Sequence, residues 1–190
     1  MRFNRQSTVW KRRMKSSLLI IGALTASLFL GGCSNRSIGN SIDDQFIEPK
    51  VAEKIRQAHA DLDSDSSHIV VTTYNGVTLL AGQTPRTELK QLAEQAALSV
   101  PGVTRVHNEI QILSPASLLA RSNDSLLTTK IKTQMLADST IPGSKIKVVT
   151  ENGIVYLLGL ITRQEANRAA NLVQGVSGVQ KVVKLFQYTD

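Results

Sequence analysis

Between residues 44 and 113 the pattern of apolar and polar positions changes period three times. Over Asp44–Ala60 the spacing predicts an amphipathic helix, with Val51, Ile55 and Ala58 facing inward. Ile69–Thr73 and Val77–Ala81 are short β-rich runs, and Asn75-Gly76 between them is a two-residue hairpin signal, because both positions need positive φ. A second helix is expected over Pro85–Leu98. Thr84 is its candidate cap, Pro85 suits the first turn, and Glu88 sits where a capping box would place it. Pro101-Gly102 ends it, and Val103–Leu113 reads as a strand.

The chain then repeats itself. Tyr74-Asn75-Gly76-Val77 matches Glu151-Asn152-Gly153-Ile154 at an offset of 77, and the same offset pairs Gly82 with Gly159, Arg86 with Arg163 and Glu88 with Glu165. After a one-residue deletion Val100-Pro-Gly-Val103 pairs with Val176-Ser-Gly-Val179, and upstream Ile55 pairs with Ile131. Matches this dense and in register indicate duplication of a small domain. In the second copy, strands are expected near Lys145–Thr150, Val155–Leu158 and Val179–Tyr188, with a helix near Arg163–Gln174. A hairpin followed by a strand–helix–strand crossover makes a three-stranded mixed sheet with two helices on one face. The expected fold is therefore α+β, two tandem αββαβ sandwiches over 43–113 and 123–190, joined by a Pro- and Ser-marked linker at 114–122. Units this small are marginal alone, so the two are expected to pack together.

The first helix of the second copy differs from an ordinary packing helix. Asn123 or Asp124 supplies its start signal, and Leu127, Ile131 and Met135 form one inward stripe. Leu126 and Leu136 lie off that stripe, with Lys130 and Lys132 beside them. Spare leucines and lysines on an outward flank suit a helix that rests on an anionic membrane. A packing helix with solvated lysines fits the same periodicity.

Charge sharpens the picture once it is placed. The chain of 190 residues carries a net +7, but residues 1–32 hold six basic and no acidic side chains. Without them the balance is near neutral. Residues 33–115 carry seven basic and ten acidic groups, and residues 116–190 carry nine and five, so attraction to an anionic partner belongs to the second half. No basic stripe with interleaved aromatics occurs, which disfavours nucleic acid as a partner. The discarded segment has the form of a signal peptide: a basic stretch over 1–17, with Met1 and Met14 both candidate starts, then an apolar run Leu18–Leu30 too short to span a bilayer. It ends Leu30-Gly31-Gly32-Cys33, which resembles the bacterial lipobox. That resemblance implies cleavage before Cys33 and acylation of Cys33, palmitate included, and Ser34 after it favours transport to the outer membrane. Residues 33–42 then form the acylated Cys and its tether, which keeps the first unit near the membrane.

The hairpin Gly (Gly76, Gly153), the Gly closing the second strand (Gly82, Gly159) and the Val-x-Gly-Val before the last strand resemble the BON domain, and two such units behind a lipobox resemble the dual-BON-domain outer-membrane lipoproteins. The resemblance implies a non-enzymatic protein without cofactors. It would face the periplasm, support membrane integrity, gather at division sites and bind phosphatidylglycerol and cardiolipin through the first helix of the second BON domain. The matching positions are Leu126, Thr129, Lys130, Lys132, Thr133 and Leu136. Leu126 departs from the Trp that the family helix commonly presents. Leu keeps the apolar contact without the headgroup preference of Trp.

Catalytic and metal chemistry finds little support. Asp61-Leu-Asp63-Ser-Asp65 opens like a calcium loop but has Ser66 and Thr72 where that loop needs Gly and Glu. His59, His68 and His107 lack metal-ligand spacing. No nucleophile motif or phosphate loop occurs. The recurring Arg86/Glu88 and Arg163/Glu165 pairs read as helix-start electrostatics. The competing function is an adaptor that binds an envelope assembly protein through the same helix face or a sheet edge.

Overall fold

The computed structural model describes residues 38–190. The signal region 1–32 and Cys33 lie outside the described residues. Helix α1 spans Ile38–Ala58, and a short 3-10 turn, Ala60–Leu62, leads to the hairpin β1 (His68–Tyr74) and β2 (Val77–Thr84). Helix α2 (Thr87–Leu98) crosses over to β3 (Arg105–Asn108) and β4 (Gln111–Ile112). The second copy has α3 (Leu118–Ala137), β5 (Ile146–Glu151), β6 (Ile154–Ile161), α4 (Arg163–Gln174) and β7 (Lys181–Tyr188).

In each copy the hairpin is antiparallel and the crossover strand lies parallel to the central one: β1-β2-β3 with β4 continuing beside β2, and β5-β6-β7. Both turns are of the expected kind, with positive φ at Asn75 and Gly76 and at Asn152 and Gly153. The third strands differ. β6–β7 pairs without a break from Ile154↔Lys181 to Ile161↔Tyr188. In the first copy pairing lapses between Asn108 and Gln111 and resumes in the same register. The lapse lies opposite Gly82, which keeps its pairing with Ile69 of β1 but has a φ of +114°, whereas Gly159 has no such φ. Only glycine fits at 82, because a Cβ there would stand 2.0 Å from the carbonyl oxygen of His68.

Among the described residues three apolar clusters hold the fold together. Val51, Ile55, Leu80, Leu89 and Ala93 join α1 and α2 to the first sheet. Ile131, Met135, Val155, Leu157 and Ala169 do the same for α3, α4 and the second. The third cluster, Tyr74, Leu79, Ala81, Tyr156, Leu158 and Leu185, lies between the two sheets. The sheets thus pack face to face with helices outside them. This explains why β2 is buried at every position, its Thr78, Gln83 and Thr84 included. All three clusters close within residues 47–186, so a chain beginning at Ser34 retains all of them.

The pairing of the sheets is nearly two-fold. Asn75 Nδ2 donates to Gln187 Oε1 at 2.9 Å, and Asn152 Nδ2 reaches Gln111 Oε1 at 3.5 Å. Gln111 and Gln187 are equivalent, because β4, continuing the register of β3, faces β2 as β7 faces β6. Each hairpin turn therefore sits beside the far end of the other unit's last strand. Polar links at the seam break this symmetry. Lys147 Nζ donates to Glu48 at 2.8 Å and to the Thr73 carbonyl at 2.6 Å. Elsewhere Glu151 faces His68 at 3.6 Å and accepts from Gln83 at 3.4 Å. Burial pushes the Glu151 carboxyl up, against the pull of His68 and Gln83.

Several sequence-based boundaries move. α1 begins at Ile38, inside the segment read as tether, and α3 begins at Leu118, inside the segment read as linker. Ala58 is exposed, not inward. At α2 the cap position is Arg86, without a side-chain cap, and Thr84 is instead the buried last residue of β2, 3.1 Å from the Ser67 hydroxyl. Arg86 pairs with Asp61 at 2.6 Å and not with Glu88. The capping box forms only in the second copy, between Thr162 and Glu165. Arg163 there lies over the Tyr188 ring at 4.4 Å.

His107, on β3, gives a first test. Burial, aided by Arg105, holds its pKa below the usual 6.5. Below pH 6.5 the unfolded chain takes up this proton more readily than the folded one, so stability falls as pH drops through that window. His107→Gln should flatten the fall. Thermal melts of the two forms from pH 7.5 to 5 would measure it, and parallel curves would refute it.

Candidate functional site

Helix α3 is built by three local features. Ser117 caps it, its hydroxyl accepting from Ala120 N at 3.2 Å. Leu127, Ile131 and Met135 pack it onto the second core, as the spacing predicted. Asp124 fixes its position. This residue is not a cap but a buried side chain within the helix, and its carboxylate accepts from Asn152 N at 2.8 Å and Gly153 N at 3.0 Å. The hairpin turn is thereby held against α3. Asp44 does the same in the first copy, accepting from Asn75 N at 2.7 Å and Gly76 N at 3.1 Å. This shared contact sets the true equivalence of the helices: Val51 matches Ile131 and Ile55 matches Met135. The pairing of Ile55 with Ile131 was one helical turn out. The reason is that the chain from Asp to turn is 31 residues long in the first copy and 28 in the second.

The opposite side of α3 is open. Leu126, Thr129, Lys130, Lys132, Thr133 and Leu136 are all exposed, the two leucines at 68 % each. At 100° per residue five of the six fall within about 120° of one another, and Lys132 lies on the flank. Neither lysine has an ion-pair partner among the described residues. The threonines are less polar neighbours than they look. Thr129 and Thr133 donate their hydroxyl protons to the carbonyls of Ser125 and Thr129, at 3.0 and 2.9 Å. These donors already have partners inside the helix, so moving this flank into a less polar medium costs less.

The open face is longer than the sequence suggested. Leu118 and Leu119, read as linker, are 78 % and 72 % exposed on the first turn. Leu119 lies seven residues before Leu126, hence on nearly the same line. The signal was present in Ser117-Leu118-Leu119, a cap residue before apolar ones, but Asp124 offered a competing start. Beside Leu126 and Lys130, a groove of about 490 Å³ runs between α3, the β5–β6 turn and the α4–β7 loop, with Asp124 and Gly153 in its wall.

No group of three or more His, Cys, Asp or Glu able to hold a metal ion occurs among the described residues. None of their helices is long and apolar enough to cross a membrane.

The family model of the BON domain matches residues 43–114 and again 123–190. The chain belongs to the BON-domain family. This tandem BON-domain protein is 35 % identical to outer membrane lipoprotein DolP of Haemophilus influenzae, over 93 % of this chain and 97 % of that one. It is 37 % identical to the 21 kDa hemolysin of Actinobacillus pleuropneumoniae, over 80 % and 78 % of the two chains. To osmotically-inducible protein Y of Escherichia coli it is 31 % identical, over 78 % and 74 %. Both BON domains of the chain thus have the α+β architecture expected from the repeat.

Proposed function

We propose that this tandem BON-domain protein is a non-enzymatic lipoprotein of the outer membrane, anchored through Cys33 and facing the periplasm, that docks on anionic phospholipid through α3. The observation that carries the reading is the exposure of Leu126 and Leu136 beside two lysines that have no ion-pair partner among the described residues, on a helix whose other side is core. Similarity to a protein named an outer membrane lipoprotein supports the location. Burial of an exposed leucine contributes up to about 1.5–3 kcal/mol, and each lysine near an anionic surface about 1 kcal/mol. The site is therefore weak alone, and suffices when an acyl anchor already keeps the protein at the surface. Its role is to select phosphatidylglycerol- or cardiolipin-rich membrane. Gathering at division sites and support of membrane integrity follow from that selection.

The test is flotation of the unacylated chain from Ser34 onwards with vesicles. The double substitution Leu126→Ser with Lys130→Glu should weaken binding to cardiolipin vesicles at least about tenfold. Its melting temperature should hold, since both side chains are exposed. Undiminished binding would assign the lipid contact elsewhere, and loss of envelope localisation without loss of lipid binding would favour a protein partner.

A further inference from the structure

We infer that the first BON domain carries a second bilayer-docking surface, centred on Phe46 and Lys50 of α1, for the same anionic leaflet that holds the anchor. The inference rests on the reading of α3 above and extends it to a face that the sequence patterning did not single out. Aligning the helices on Asp44 and Asp124 places Phe46 at the position of Leu126 and Lys50 at that of Lys130. Phe46 is 63 % exposed, while Ile47 beside it is core. Lys50 is exposed and has no ion-pair partner among the described residues. A groove of about 570 Å³ runs beside them, bounded by Gly76 of the turn and by Gly102 of the α2–β3 loop. These glycines match Gly153 and Gly178 of the groove beside α3. The duplication has therefore kept the groove, the apolar rim and the cation, and has replaced leucine with an aromatic ring that suits an interfacial helix.

Two further facts name the bilayer as the occupant. α1 begins at Ile38, five residues after Cys33, and Phe46 lies eight residues into the helix. An extended span of five residues and a helical one of eight together reach at most about 30 Å. Phe46 is thus leashed within that distance of the proposed anchor. On α1 the cations are in excess beside Phe46: Lys50 and Lys54 have no ion-pair partner among the described residues, and Glu53 pairs with Arg56 at 2.5 Å. By helical position Asp43 is the one opposing charge on that flank, in a half of the chain that is net acidic as a whole. The Glu53–Arg56 pair occupies the places of Thr133 and Leu136, so this surface is shorter and binds more weakly than α3. The two surfaces are separate contacts, because the turns that flank them lie at opposite ends of the paired sheets.

The chain from Ser34 onwards contains no tryptophan, since the only one is Trp10. Phe46→Trp therefore introduces a single fluorescent reporter at an exposed site. Its emission should shift to the blue with phosphatidylcholine vesicles containing cardiolipin, and not with phosphatidylcholine alone. The shift should persist when Leu126→Ser and Lys130→Glu are added, and a further Lys50→Glu should reduce it about tenfold in apparent affinity. If the Phe46→Trp protein floats with the vesicles but its emission does not move, the α1 surface is refuted and the α3 reading stands. A shift that disappears in the Leu126→Ser, Lys130→Glu background refutes it too, since Phe46 would then be carried passively to the membrane. Failure to float at all overturns both readings.

Discussion

Tyr156→Ala should cost the folded state about 4 kcal/mol, the largest effect we expect from one substitution. Tyr156 is 2 % exposed on the central strand β6 and fills the space between the sheets with Leu79, Leu158 and Leu185. Each sheet is backed by two helices, so neither can collapse into the gap a missing ring would leave. Urea unfolding of the parent chain should be one cooperative transition, since the sheets share a core. In the variant the midpoint should drop and the transition should broaden or divide as the two domains uncouple. An unchanged midpoint would show that the intersheet cluster does not join the domains. Tyr156→Phe keeps the ring, and its stability near neutral pH should lie within about 1 kcal/mol of the parent. Alkaline solution should separate the two. Burial, and then Glu109 and Glu151, push the phenol up to about 12, from 10. Between pH 10 and 12 the folded chain keeps a proton that the unfolded chain releases. Stability should therefore fall as pH rises across that window, by up to about 2–3 kcal/mol, and Tyr156→Phe should remove that part of the loss.

Asp124→Ala should cost about 3 kcal/mol. The carboxylate is the acceptor for two turn amides, Asn152 N and Gly153 N, and is itself buried. Its removal leaves both donors without that partner and releases the turn from α3. Amide exchange at Asn152 and Gly153 should accelerate by a hundredfold or so, matching the lost free energy where opening is local. Asp124→Asn should lie between, because its amide oxygen can still accept from one donor while its NH2 opposes the other. Asp44→Ala should reproduce the effect at Asn75 and Gly76. Protection unchanged at all four amides would remove the argument that these aspartates set the position of the helices, and with it the equivalence of Phe46 and Leu126.

The same aspartates show where a sequence is legible and where it is not. The hairpins and the crossover order could be read directly, because Asn-Gly turns and β-branched runs act over a few residues, and α4 followed from the repeat. The outward character of Leu126, Lys130, Lys132 and Leu136 was legible for a similar reason, since helical periodicity places them off the stripe of Leu127, Ile131 and Met135, whereas Thr129 and Thr133 were named through the family resemblance. Asp124 was misread because an acidic residue before an apolar run looks the same whether it caps its own helix or accepts from a turn 28 residues away. Thr84 failed for a related reason, as β2 absorbed it before α2 began.

What the amino-acid order determined alone was the duplicated αββαβ unit and which α3 side chains stand off its packing stripe, since both depend on period and on local turn chemistry. That this flank stays uncovered was decided by the packing of the sheets against each other. Only the tertiary structure decided that the sheets share a core through Tyr74, Leu79 and Tyr156, and that Phe46 occupies the place of Leu126. Face-to-face packing and the Asp-to-turn bonds join residues far apart in the chain. No periodicity spans that separation, so their partners become visible only when the backbone is folded.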